Sequence, residues 1–201
     1  MIAVIDYGVG NLGSIRNMLK RVGHGCEVTR DPAVIAAADK IILPGVGAFD
    51  YAMARLNDSG LRPLLDRKAI EEKVPILGIC LGMQLLTLGS EEGALPGLSW
   101  IDARAVRFPG GDGLKVPHMG WNAVRPTRAS PLTAGLEADA RFYFVHSYAV
   151  QVEDPADCLL ECRHGIRFAA AIHRDNIYGA QFHPEKSHRF GKRLLANFGA
   201  L

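Results

Sequence analysis

The chain has 201 residues, and at roughly 150 residues per domain this predicts one domain over 1–201. It is 48% hydrophobic and 22% charged, with 23 Lys plus Arg against 21 Asp plus Glu; the net charge of +2 speaks against nucleic acid or a membrane surface as main partner, and the balance excludes a disordered chain. No apolar stretch nears the roughly 18 residues of a membrane span, Asp6 cuts the apolar start short with no basic segment before it, and four cysteines are too few for a disulfide framework, so the expectation is a cytoplasmic protein with reduced thiols.

In chain order, Ile2 to Asp6 is a continuous apolar run that fits a strand buried on both faces. Leu12, Ile15, Met18, Leu19 and Val22 then recur at helical spacing, with Asn11 as the expected N-cap. A strand over Cys26 to Thr29 follows, and Asp31-Pro32 opens a short helix containing Val34 to Ala38. Lys40 to Leu43 is a third strand, stopped by Pro44-Gly45. Helices are expected over Phe49 to Leu56 and Leu61 to Ile70, a strand over Val74 to Ile79, and a helix over Leu81 to Leu88. This alternation predicts an α/β fold, an open and mainly parallel sheet with helices on both faces. The second half differs. Ala103 to Phe108, Val116 to Val124, Phe142 to Val150, Cys158 to Arg163, Ala169 to His173 and Ile177 to Phe182 are short runs between Gly, Pro, Asp and Asn, expected to extend the sheet with antiparallel strands. An amphipathic helix over Lys186 to Phe198 closes the chain.

Several motifs compete for the function. Gly8, Gly10 and Gly13 fit G-x-G-x-x-G between a strand and a helix, with Asp31 placed 18 positions on, as a dinucleotide-binding turn would have it. The same glycines also serve a plain strand-to-helix turn. Gly78-Ile-Cys80-Leu-Gly82 has the form of a nucleophile elbow with cysteine for serine, at the end of a buried strand. A helix starting at Leu81 would lend its N-terminal charge to a thiolate and its first amide to an oxyanion. A merely buried, inert cysteine is the other reading of that turn. Of seven histidines, His173 and His183 are each followed two residues later by a carboxylate. His173 lies at a strand end, whereas His183 stands just past a strand and reaches Glu185 across the rigid Pro184, which supplies the base and orienting acid that a nucleophilic cysteine requires. Pro44-Gly45-Val46-Gly47 at a strand end can aim backbone amides at a ligand oxygen. Cys158 and Cys162 are expected on one face of a strand, packed in the core rather than holding zinc, and no metal site is expected.

Together these blocks resemble the triad-type glutamine amidotransferases. The further segments Val116-Pro-His-Met-Gly-Trp-Asn122, Phe142-Tyr-Phe-Val-His-Ser-Tyr148 and Gln181-Phe-His-Pro-Glu-Lys-Ser187 narrow the resemblance to the glutaminase subunits of imidazole glycerol phosphate synthases, over essentially the whole chain. The resemblance implies a flavodoxin-like fold and glutamine as substrate. It implies Cys80 as nucleophile, His183 as acid and base, Glu185 as its orienting group, and an oxyanion hole at Val46, Gly47 and Leu81. Gly47, Gln84, Ser147 and Tyr148 would bind glutamine. No cofactor is implied. The implied partner is a (β/α)8-barrel cyclase, met through His118, Met119, Trp121, Asn122 and Tyr143, although Trp121 also suits a core position. The rivals are a glutaminase serving another synthase, a cysteine hydrolase needing no partner, and a nucleotide-binding module built on the first glycines.

Overall fold

Valine, isoleucine and leucine fill the early strands without alternation because helices cover the sheet on both sides. The computed structural model describes residues 1–111 and 113–201. Strand β1 (Ile2–Ile5) leads through α1 (Leu12–Arg21) to β2 (Cys26–Thr29), then through α2 (Pro32–Ala36) to β3 (Lys40–Gly45). Helices α3 (Phe49–Asp58) and α4 (Arg62–Asp66) precede β4 (Ile76–Cys80) and the short α5 (Leu81–Leu85). Strands β2, β1, β3 and β4 lie side by side in that order, all parallel. Ile2 and Val4 of β1 join a layer with Ile15, Leu19, Leu194 and Phe198, while Ala3 and Ile5 join the opposite layer with Phe49, Met53 and Leu56.

Beyond α5 come β5 (Gly89–Ser90), β6 (Ala103–Arg107), β7 (His118–Ala123), β8 (Arg125–Pro126), β9 (Arg141–His146), β10 (Tyr148–Val152), β11 (Cys158–His164), β12 (Ile166–Arg174), β13 (Ile177–Ala180) and α6 (His188–Ala200). Strand β13 inserts beside β4 in parallel and β12, β10 and β6 continue antiparallel, so the extended, mainly parallel sheet read from the sequence is what forms.

The departures are local. Strands β7 and β9 pair only with each other, as a two-stranded antiparallel ribbon outside the main sheet. The run from Phe142 to Val150 is therefore two strands: the chain crosses from ribbon to sheet at Ser147, whose carbonyl accepts from Phe108 N at 3.1 Å. Asn11 holds the N-cap position of α1 without a side-chain capping bond, whereas Asp31 caps α2 by accepting from Ala33 N at 2.8 Å, and that helix opens at Pro32 as expected but ends at Ala36 rather than Ala38. The stretch from Leu61 to Ile70 divides into α4 and a π-helical turn, Arg67–Glu71. The helix after Cys80 ends at Leu85 rather than Leu88, and a 3-10 turn, Pro184–Lys186, takes up what was expected as the start of α6. Register shifts between Cys158 and Glu161 carry Cys158 and Cys162 to opposite sides of the sheet, correcting the expectation that they share a face. Among the described residues no cluster of three or more His, Cys, Asp or Glu is arranged for a metal ion, and no helix is long and apolar enough to cross a membrane.

Candidate active site

The nucleophile turn is built by backbone contact. Gly45 of β3 lies opposite Cys80 of β4. A Cβ on Gly78 would sit 2.6 Å from Gly82 O, one on Gly45 would sit 2.6 Å from Gly82 N, and one on Gly82 would overlap Leu43 O. Only glycine lets β3, β4 and α5 approach so closely. Cys80 takes φ 55° and ψ −113° between them, a strained conformation for a residue with a side chain. Its side chain is thereby held at the carboxyl end of the sheet, where ligands of open α/β sheets bind. Because α5 has barely more than one turn, less aligned dipole stands behind the sulfur than the sequence suggested.

His183 follows β13, the neighbour of β4. Its backbone N–H donates to Tyr143 O at 2.9 Å, and its Nδ1 meets Glu185 Oε1 at 2.8 Å, with the Glu185 side chain fully buried. Burial would lower the His183 pKa. Hydrogen bonding and charge from Cys80 and Glu185 outweigh it and raise the value to about 9. Cys80 and His183 thus face the same cavity, and His183 is bonded to Glu185 behind it.

Around them is a cavity of about 370 Å³ whose walls include Val46, Gly47, Leu81, Gln84, Ser147 and Tyr148, every residue read as oxyanion or glutamine contact. Gln84 is buried, and its Nε2 donates to Gln181 Oε1 at 3.0 Å and to Tyr148 O at 3.3 Å. Gln181 Nε2 in turn approaches Cys80 Sγ at 4.0 Å. Gly47 sits at φ 91° in an exposed turn directly past the end of β3.

Further residues of the site escaped the sequence reading. Glu92 lines the cavity and accepts from Phe49 N at 2.9 Å, which ties its loop to the start of α3. Gln181 had a strand signal, since it shares a side with His183 two residues on. His146 lines the cavity wall. Tyr7, buried beneath the turn, donates its hydroxyl to Pro44 O at 2.6 Å and fixes the strand end that carries Gly45 and Gly47. The pKa of Tyr7 is pushed up, first by burial and then by the charge of Cys80.

The first glycines have another use. A Cβ on Gly10 would come 2.9 Å from Pro44 Cβ, so this turn packs against the same strand end, and the acid expected to hold a ribose, Asp31, is spent capping α2.

The expected partner residues divide between the two faces of the ribbon. Met119 is 63% exposed and Trp121 45% exposed, and Tyr143 pairs with Trp121 on the same outward side. His188 stacks on Trp121 with centroids 5.4 Å apart, and Lys186 lies over the Tyr143 ring at 5.8 Å. Trp121 is therefore not a core residue. His118 corrects the other way: it is 5% exposed, stacked on Phe144 and His164, so its side chain offers a partner nothing to touch. Asn122, also on the inner side, is held by His118 and Arg163 O.

The chain matches the family model described as glutamine amidotransferase class-I over residues 3–200. It is 54% identical over 198 residues to the imidazole glycerol phosphate synthase subunit HisH 2 of Pseudomonas aeruginosa, covering 98% of each chain. It is 51% identical over 198 residues, again 98% of each, to the subunit of the same name in Methanococcus maripaludis. In fold it resembles the crystal structure of a glutamine amidotransferase with a TM-score of 0.72 at 17% identity, covering 100% of both chains.

Proposed function

Because the chain belongs to the class-I glutamine amidotransferase family, we propose that it is the glutaminase subunit of an imidazole glycerol phosphate synthase in histidine biosynthesis, releasing ammonia from glutamine for a cyclase subunit. The observation that carries this reading is Cys80, strained onto the cavity floor, with His183 and buried Glu185 beside it. A high His183 pKa favours an imidazolium next to the sulfur, which draws the thiol proton onto the ring.

In the proposed reaction Cys80 Sγ attacks the side-chain carboxamide carbon, and the C=O pair moves onto oxygen. The amides of Leu81 and of the Val46–Gly47 turn donate to that oxyanion. Collapse breaks the C–N bond as His183 protonates the departing nitrogen, leaving ammonia and a Cys80 thioester. His183, neutral again and oriented by Glu185, takes a proton from water, which adds to the thioester; the second collapse frees glutamate and returns the proton to sulfur. Gln84, Ser147, Tyr148 and Gly47 would hold the glutamine. Glu92, the one carboxylate on the cavity wall, suits the α-ammonium group.

The partner reading rests on the outward ribbon face. Met119, Trp121 and Tyr143 form an apolar patch on the outward side of strands that reach the cavity through Val145 on that side and His146 on the inner one, the composition of a docking anchor. The test is glutamate release from glutamine by the purified chain, alone and with the cyclase subunit carrying its ribulosyl ligand. Strong release only with the liganded cyclase is expected. Release indifferent to the cyclase would keep the triad and send the chain to another synthase, and no release under either condition would overturn the reading.

A further inference from the structure

We infer that His118 and His146 are positioning residues for glutamine binding: two neutral imidazoles forming a one-way hydrogen-bonded relay from the inner side of β7 to the Tyr148 carbonyl, which also accepts from the amide of Gln84. The inference rests on the glutaminase reading for its substrate, and on geometry for the relay itself.

The polarity of the chain follows from its ends. A carbonyl only accepts, so the proton in the 2.7 Å contact between His146 Nδ1 and Tyr148 O belongs to the ring. With Nδ1 protonated and the ring neutral, His146 Nε2 accepts, and the 2.9 Å contact to His118 is filled by a proton on His118 Nδ1. His118 Nε2 then accepts from Asn122 Nδ2 at 3.1 Å. The Asn122 amide is oriented independently, since Nδ2 also donates to Arg163 O at 3.0 Å and Oδ1 accepts from Ala123 N at 2.9 Å. Read from either end, the direction is the same. A second proton on either ring would bring two N–H groups face to face.

The surroundings keep both rings neutral. His118 and His146 are 5% and 6% exposed, and Phe108, Phe144 and Phe168 pack around them. The titratable groups facing the pair are His164, stacked on His118 at 4.3 Å, and His183, whose charge opposes a charge on His146. Burial first, then the charge of His164, brings His118 down to about 4; burial outweighs the Tyr148 hydrogen bond and, with the charges of His118, His164 and His183, brings His146 down to about 3.

At the cavity end, Tyr148 O accepts from His146 and from Gln84 Nε2 together. The other Gln84 Nε2 hydrogen goes to Gln181 Oε1, so both amide hydrogens are committed and Oε1 remains as the acceptor that this wall residue has for a ligand. A rotated amide would break both bonds. The relay thus holds the Tyr148 carbonyl, and the carbonyl holds Gln84.

Histidine ¹⁵N NMR on the full-length chain reads the relay without any substitution. Nδ1 protonated and Nε2 unprotonated in both rings from pH 7 to pH 5 is expected; an Nε2–H on either ring, or titration near the ordinary ~6.5, overturns the relay. His118→Phe in the complex with the cyclase tests its purpose, because it keeps ring volume and stacking while removing the Nδ1 donor. A roughly tenfold rise in the glutamine KM with kcat within twofold is expected, and at most a twofold further rise when His118→Phe is added to Gln84→Ala. An unchanged KM, a loss confined to kcat, or a full tenfold rise on top of Gln84→Ala overturns the route through Gln84. If the unsubstituted complex releases no glutamate, the glutaminase reading fails by itself, and the NMR result still decides the relay.

Discussion

The nucleophile elbow and the β7–β9 ribbon meet at one cavity yet are built on opposite principles. At the elbow, Gly45, Gly78 and Gly82 allow backbone to lie on backbone, and the one side chain between them is strained. In the ribbon, side chains decide everything. Phe142, Phe144 and His118 turn inward, while Met119 and Trp121 turn to solvent. The elbow fixes a single atom in place; the ribbon turns one face toward the core and leaves the other exposed. Positional accuracy comes from excluding side chains, and the division of the ribbon into two faces comes from alternating them.

Two substitutions probe the elbow with large effects. Cys80→Ala removes the attacking atom, so glutamine-driven synthesis by the complex should fall by about 10⁴-fold or more, while synthesis from added ammonium salt persists. Glutamine-driven product at an undiminished rate would disqualify Cys80. Gly82→Ala drives a methyl group into the Leu43 carbonyl and should destabilise the fold by about 3 kcal/mol or more in urea titration. Gly120→Ala in the ribbon has φ 123° but open space around it, and should cost only about 1–2 kcal/mol. Equal losses would erase the contrast between the two regions.

The same contrast governs what the sequence discloses. Glycines forced by contact fall at fixed spacing, so the elbow, its oxyanion strand and the His183–Glu185 pair are legible from residue order. The ribbon is not, because period-two alternation is the same whether a strand joins the main sheet or leaves it. Nothing at Ser147 marks the crossing between β9 and β10; no glycine or proline interrupts Phe142 to Val150. The bulge that separates Cys158 from Cys162 has no residue signature either. Glu92 reaches the cavity from a loop whose path depends on Asp50 accepting from Ala94 and Leu95, a contact 44 and 45 residues away in sequence.

Histidines carry the comparison into pH. His183, at about 9 in the folded chain against ~6.5 unfolded, stabilises fully below pH 6.5 and loses that contribution as pH rises through 9. His146 and His118, at about 3 and about 4, stabilise fully above pH 6.5 and lose their contribution as pH falls toward those values. Each group contributes a slope of at most about 1.4 kcal/mol per pH unit. Urea midpoints between pH 5 and pH 9.5 should therefore peak near neutrality, and Glu185→Gln, which leaves the Cys80 contact in place, should make the alkaline limb shallower and leave the acid limb unchanged. A midpoint constant from pH 6.5 to 9 would remove the elbow's share, and one constant from pH 5 to 6.5 the ribbon's.

Trp121 separates the ribbon's two faces with the smallest perturbation. It is 45% exposed and rests on His188 and Tyr143 rather than in either layer of the core. Trp121→Ala should therefore shift folding stability by no more than about 0.5 kcal/mol. As the largest apolar group on the proposed docking face, it should contribute about 2 kcal/mol to cyclase binding, roughly a thirtyfold rise in Kd by calorimetry. Trp121→Phe, which keeps an aromatic face against His188, should recover part of that loss. If alanine lowers stability as much as it weakens binding, Trp121 supports the ribbon from outside and the anchor lies elsewhere. If stability holds while binding falls, the outer face docks, and the inner face is left to His118 and His146.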